Sequence, residues 1–82
     1  WKNKVVNLTV TEFLLVKSLA DSVEVVKSRD QLIISAFGED KENIDDRAID
    51  HHFKRIRKKF KNIDNNFNSI VTIYGGGYKF SE

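Results

Sequence analysis

Eighty-two residues without a cysteine make one small domain with neither a disulfide framework nor a thiolate metal site. Hydrophobic residues are 40% and charged residues 32%, a balance that fits a soluble globular chain and excludes a disordered one. The net charge of +2 hides an asymmetry: residues 47–61 hold seven Lys or Arg against one Asp, net +6, which leaves the rest of the chain at −4. A basic segment on a mildly acidic body is the electrostatic footprint of a surface for a polyanion. No apolar run reaches the roughly 18–20 residues of a bilayer span, and no signal-like segment opens the chain, so a cytoplasmic location is expected. The chain begins at Trp1 rather than at a methionine and is expected to be part of something longer.

Along the chain, Val5-Val6-Asn7-Leu8 leans toward β structure. Thr9-Val10-Thr11-Glu12 has the spacing of a capping box, in which a hydroxyl and a carboxylate satisfy each other's orphan amides. Phe13, Val16 and Ala20, with Leu15 and Leu19, follow at helical spacing, so a first helix is expected over about 10–20 and ends at Asp21-Ser22. Val23, Val25 and Val26 form an extended connection whose alternate side chains can dock inward. Ser28-Arg29-Asp30-Gln31 repeats the capping box and opens a second helix to about Ala36, with Leu32, Ile33 and Ala36 inward and Gly38 as its stop. Glu39 to Asp46 is a polar, acidic loop.

Asp45 or Asp46 then caps a third helix over about Arg47–Lys61. Asn62 to Asn68 is a polar linker. Ile70-Val71-Thr72-Ile73-Tyr74 reads as a strand, Gly75-Gly76-Gly77 as a tight turn and Tyr78-Lys79-Phe80 as the returning strand. Three helices followed by a hairpin are the layout of an α+β winged helix-turn-helix, one domain over residues 1–82.

The third helix carries the functional signal. At about 100° per residue, Ile49, Ile56 and Phe60 fall within about 60° of Phe53, a narrow apolar stripe. Lys54, Arg47, Lys58, His51 and Arg55 occupy the arc from about 100° to 200°, directed away from the core. Such a helix fits the major groove, where Arg or Lys can bond O6 and N7 of guanine. The plainer alternative is a solvated cationic face. Against it stands the scarcity of acids: Asp50 and Lys54 form one i,i+4 pair, and the other cations go unpaired within the helix.

The glycine run could instead cradle a phosphate, but that needs a helix after it, and here a strand follows. His51 and His52 are adjacent and cannot share one metal from one side of a helix, and no third ligand has sensible spacing. No Ser-His-Asp or paired-carboxylate arrangement is present, so neither an enzyme, nor a metal, nor a cofactor is expected. The acids Glu39, Asp40, Glu42, Asp45 and Asp46 are explained as a solvated loop.

Three stretches resemble a known family. Leu8-Thr9-x-Thr11-Glu12-Phe13-x-Leu15 followed by Val26-x-Ser28-Arg29-Asp30-Gln31-Leu32 look like the first half of an OmpR/PhoB-type response-regulator effector domain, with details that lean toward its ChvI-like branch. Asp46-Arg47-x-Ile49-Asp50-x-His52-Phe53-Lys54-Arg55-Ile56-Arg57-Lys58-Lys59-Phe60 is similar to its recognition helix, and Ile70-x-Thr72-Ile73-Tyr74-Gly75-Gly76-Gly77-Tyr78-Lys79-Phe80 to its wing. The resemblance implies the output half of a bacterial two-component transcription factor. A receiver domain outside this chain would be phosphorylated by a sensor histidine kinase and would promote dimerisation on tandem direct repeats of double-stranded DNA.

By position in that family, Arg47, His51, Lys54, Arg55 and Lys58 face DNA, with His51 and Arg55 on base edges and Arg57 on a phosphate. Thr72, Tyr74, Gly76 and Lys79 are the expected wing contacts. The loop Gly38, Glu39, Asp40, Lys41, Glu42 and Asn43 would face RNA polymerase. Two departures stand out. The family's four-stranded N-terminal sheet is truncated here to about its last strand, and Tyr74 stands where many members carry an arginine. A winged helix that docks an acidic protein through its basic helix is the competing function; it shares the salt dependence of duplex binding but not a sequence preference.

Overall fold

In the computed structural model, which describes residues 6–38 and 45–81, three helices precede a two-stranded hairpin. The first helix, α1 (Val10–Ala20), starts where the capping box puts it. Thr9 Oγ1 accepts from the Glu12 amide at 3.2 Å, and Glu12 Oε1 accepts from the Thr9 amide at 2.8 Å. In α2 (Arg29–Phe37), Ser28 and Gln31 close the same reciprocal pair at 3.1 and 2.9 Å. Gly38 ends that helix at φ +63°, a conformation that costs a side chain but not a glycine. The third helix, α3 (Asp46–Ile63), is capped by Asp45, whose carboxylate accepts from the Arg47 amide at 2.9 Å. The helices α1 and α2 match their expected bounds to within a residue, and α3 runs one residue earlier and two later.

β1 (Ile70–Ile73) and β2 (Gly77–Phe80) pair antiparallel, with Ile70 opposite Phe80 and Ile73 opposite Gly77. Tyr74 therefore belongs to the turn and Gly77 to the strand. The reason for Gly77 is a close backbone approach. A Cβ there would lie 2.0 Å from the Lys27 carbonyl oxygen, and its φ of +121° excludes other residues independently. The approach exists because the α1–α2 connection joins the hairpin as a third edge. Lys27 and Tyr78 exchange both backbone hydrogen bonds, at 2.8 and 2.9 Å, and the Glu24 amide donates to Phe80 O at 2.7 Å.

The connection differs from the expected alternation. Asp21 to Glu24 is a turn, with Glu24 at φ +68°; Val23 packs partly against the core, whereas Val25 and Val26 are both exposed. Lys27 is held by its backbone pairing to β2, so main-chain hydrogen bonds, not alternating valines, fix this segment.

The core joins Leu15, Leu19, Leu32 and Ile33 from α1 and α2 to Ile49, Phe53, Ile56 and Phe60 of α3, and closes on Phe67, Ile70, Tyr78 and Phe80. Phe60 stacks on Phe67 at 4.6 Å between ring centroids, and Phe53 on Tyr78 at 4.2 Å. α1 turns only part of its apolar pattern inward. Leu15, Leu19 and Glu12 are buried, Val16 is half-buried, and Phe13 and Ala20 are exposed. Both sets have helical spacing, but Phe13 and Ala20 lie about 140–160° from Leu15, so only one set can face inward. Val6 and Leu8 pack against the core without strand pairing, and Val5 lies outside the described residues.

Candidate nucleic-acid interface

The stripe Ile49, Phe53, Ile56 and Phe60 seats α3 on the core, and this burial turns the opposite side outward. Arg47, His51, Lys54, Arg55 and Lys58 are all exposed there. None of them forms an ion pair among the described residues. The helix has 18 residues, a length of about 27 Å at 1.5 Å per residue. The result is a five-turn rod with one dry edge and one unneutralised cationic edge.

The flank toward the wing is arranged differently. Arg57 is half-buried. Its Nε and Nη2 donate to Ile70 O at 3.2 and 2.8 Å, and Nη2 also donates to Thr72 Oγ1 at 2.7 Å. Two side chains expected at DNA, Arg57 and Thr72, are thus bonded to each other. Asp50 is likewise not occupied by Lys54. Its Oδ1 accepts from Arg29 Nε at 3.1 Å and from the Tyr78 hydroxyl. Burial pushes the Asp50 carboxyl up, but these two hydrogen bonds and the Arg29 charge outweigh it and hold it below its ordinary value. Burial and the Asp50 partner push the Tyr78 phenol up to about 12. Arg29 and Tyr78 were missed from sequence; the available signal was the wheel position of Asp50, about 60° from Phe53, beside the core stripe rather than on the basic face.

Lys59, half-buried, is paired instead of free. Its Nζ meets Glu12 Oε1 at 2.5 Å. Burial raises the Glu12 carboxyl, and the bonds from Lys59 and Thr9 more than reverse this, so its pKa lies below the ordinary value. His51 and His52 diverge as their adjacency requires. His51 is exposed, whereas His52 is half-buried with its ring 6.1 Å from that of Phe37. Burial lowers the His52 pKa; Glu12 opposes this, and Arg55 and His51 add to the lowering. Among the described residues no three His, Cys, Asp or Glu could hold a metal, and no helix is long and apolar enough to cross a membrane.

At the wing tip Tyr74 is 95% exposed. The Gly76 amide donates to Ile73 O at 2.8 Å, closing the turn in which Gly75 takes φ +79°. Lys79 is half-buried and meets Glu24 Oε2 at 3.2 Å. The tip therefore presents an aromatic ring, with its one cation set back in an ion pair. Gly38 is exposed; Glu39, Asp40, Lys41, Glu42 and Asn43 lie outside the described residues.

Residues 3–80 match the family described as "Transcriptional regulatory protein, C terminal". This chain belongs to that family. It is a winged-helix domain of the DNA-binding type found at the output end of response regulators. This transcriptional-regulator domain is 36% identical over 80 residues to the transcriptional regulatory protein BaeR of Escherichia coli, covering 98% of the chain and 33% of BaeR. It is 40% identical over 80 residues to the heme response regulator HssR of Staphylococcus saprophyticus, covering 98% and 35%.

The domain thus spans about a third of the length of these curated relatives. Among solved structures, the DNA-binding domain of Bacillus subtilis CssR superposes with a TM-score of 0.78 at 28% identity, over 96% of this chain and 83% of that one. The AdeR DNA-binding domain, solved in complex with an intercistronic region, gives 0.84 at 23% identity over 99% and 81%, a likeness of fold.

Proposed function

We propose that this output domain recognises double-stranded DNA by sequence, with α3 in the major groove and the hairpin as a wing against the backbone or minor groove. The observation that carries this is the exposed row Arg47, His51, Lys54, Arg55 and Lys58 opposite the buried stripe of α3, without ion pairs among the described residues. Cations that the fold leaves uncompensated are matched by phosphates and by guanine acceptors in a groove wide enough for one helix.

Within that row His51 and Arg55 take base edges, and Arg47, Lys54 and Lys58 complete the DNA-facing surface. Arg57 contacts a phosphate through Nη1 while Nε and Nη2 hold β1. Thr72, Gly76 and Lys79 set the wing, whose outermost group is Tyr74. In the longer protein a receiver domain, phosphorylated by a sensor histidine kinase, brings two copies together on tandem direct repeats. The loop from Gly38 to Asn43 faces RNA polymerase, and the protein works in the bacterial cytoplasm. The domain needs no cofactor or metal and catalyses nothing.

The experiment is selection of randomised duplex DNA on the domain at two salt concentrations. The expected result is a short enriched motif whose affinity falls with salt at a slope of about −0.9 per phosphate contacted. Salt-sensitive retention without a motif would overturn sequence recognition and favour an acidic protein as the partner of α3.

A further inference from the structure

Asp50 is an anion planted beside the cationic face of α3, one turn from both Arg47 and Lys54. A carboxylate there opposes the approach of DNA, because it subtracts from the positive potential that draws phosphates in. Its geometry points elsewhere. It accepts from Arg29 at the start of α2 and from the Tyr78 hydroxyl on β2. The Tyr78 ring stacks on Phe53, with the Arg29 and Arg57 guanidinium carbons 5.6 and 5.7 Å from its centroid. Arg57 in turn holds Ile70 O and Thr72 of β1. One carboxylate on α3 is therefore tied directly to α2 and to the wing.

We propose that Asp50 is a positioning residue for sequence recognition. With Arg29 and Tyr78 it fixes the angle of α3 against α2 and the hairpin, so that base-reading side chains meet base edges, and it does so at a loss of overall attraction to DNA. The proposal rests on the major-groove role of α3. Hydrogen bonds to base edges demand geometry, whereas attraction to phosphates tolerates a tilt of the helix. Loss of the brace should therefore penalise selected sites alone. Simple electrostatics predicts the opposite sign, since removing an anion should tighten binding to every duplex.

The test is to measure affinities of the wild-type chain, Asp50→Asn and Tyr78→Phe for two duplexes at one salt concentration: the sequence retained by selection, and a shuffled sequence of the same length. Asp50→Asn is expected to lose about tenfold on the selected duplex, the order of one disturbed bidentate base contact, and to hold the shuffled duplex as well as wild type or better. Tyr78→Phe keeps the ring stack and removes only the hydroxyl donor, so it carries the test should Asp50→Asn melt. It is expected to move in the same direction by a smaller factor. Variants that tighten on both duplexes by one factor, or that keep the wild-type preference, overturn the positioning role. A wild-type chain that binds both duplexes equally overturns DNA recognition itself.

Discussion

Arg55 and Arg57 stand two residues apart on one helix and do different jobs. Arg55 lies on the outward face, exposed and without an ion pair among the described residues. Arg57 lies on the flank toward the wing, spending three hydrogen bonds on Ile70 and Thr72. The same contrast separates Lys58 from Lys59, which is bound to Glu12. The basic helix is thus two regions: an outward edge without ion pairs among the described residues, and flanks whose charges hold the domain together. Composition counts these charges alike. The fold does not.

The sharpest way to break the contrast is at the core that sets it. Phe53→Ala removes the ring on which Tyr78 stacks and should cost about 3–5 kcal/mol of stability, read by thermal or urea unfolding, because a cavity replaces a fully buried phenyl. Arg57→Ala should lower stability by about 1–3 kcal/mol, since hydrogen bonds from a charged group are lost and Ile70 O is left without them. Arg55→Ala should leave the melting temperature in place but cost about 1–3 kcal/mol on a selected duplex through a lost base contact. If Arg55→Ala destabilises as much as Arg57→Ala does, the division of the helix into two regions is wrong. Lys58→Ala should weaken all duplexes evenly and flatten the salt slope by about 0.9, one phosphate's worth.

Acid acts on the flanks of α3. Glu12 and Asp50 have lowered pKa values in the fold, so the stability they contribute is present above the ordinary carboxylate range and is lost as pH falls through it. His52 is also lowered, so unfolding favours its proton uptake and its contribution begins to fade below about pH 6.5. Melting temperature should decline gently from there and more steeply below about pH 4. At the alkaline end Tyr78, raised to about 12, contributes stability that is lost as pH climbs through that value. A flat profile between pH 7 and pH 3 would contradict the bonding described for Glu12 and Asp50.

Much of the fold was legible where a signal is local. Both capping boxes set helix starts from four residues each, and the glycine run set the hairpin. The outward face of α3 was legible because four buried apolar residues leave only one possible stripe. The inward side of α1 was less so, because its two apolar sets are both helical and the choice between them is made by the packing of Leu15 and Leu19 into a core shared with α2 and α3. The partners of Asp50 were hidden for the same reason. Arg29 and Tyr78 stand 21 and 28 residues from Asp50, and local spacing offered the nearer Lys54 in their place. The α1–α2 connection was misread because what fixes it is backbone, and backbone pairing leaves little mark on side-chain pattern.

Glu12 Oε1 receives two donors at once, the Thr9 amide from its own helix turn and Lys59 Nζ from α3. Caps ordinarily let go independently, and helix ends fray on fast timescales without involving the rest of a protein. Here the cap oxygen is also an anchor on a distant helix. The first turn of α1 can open only by releasing the half-buried pair of Glu12 with Lys59, so the Thr9 and Glu12 amide hydrogens should exchange with solvent more slowly than those of an unanchored cap, and they report on the packing of α1 against α3.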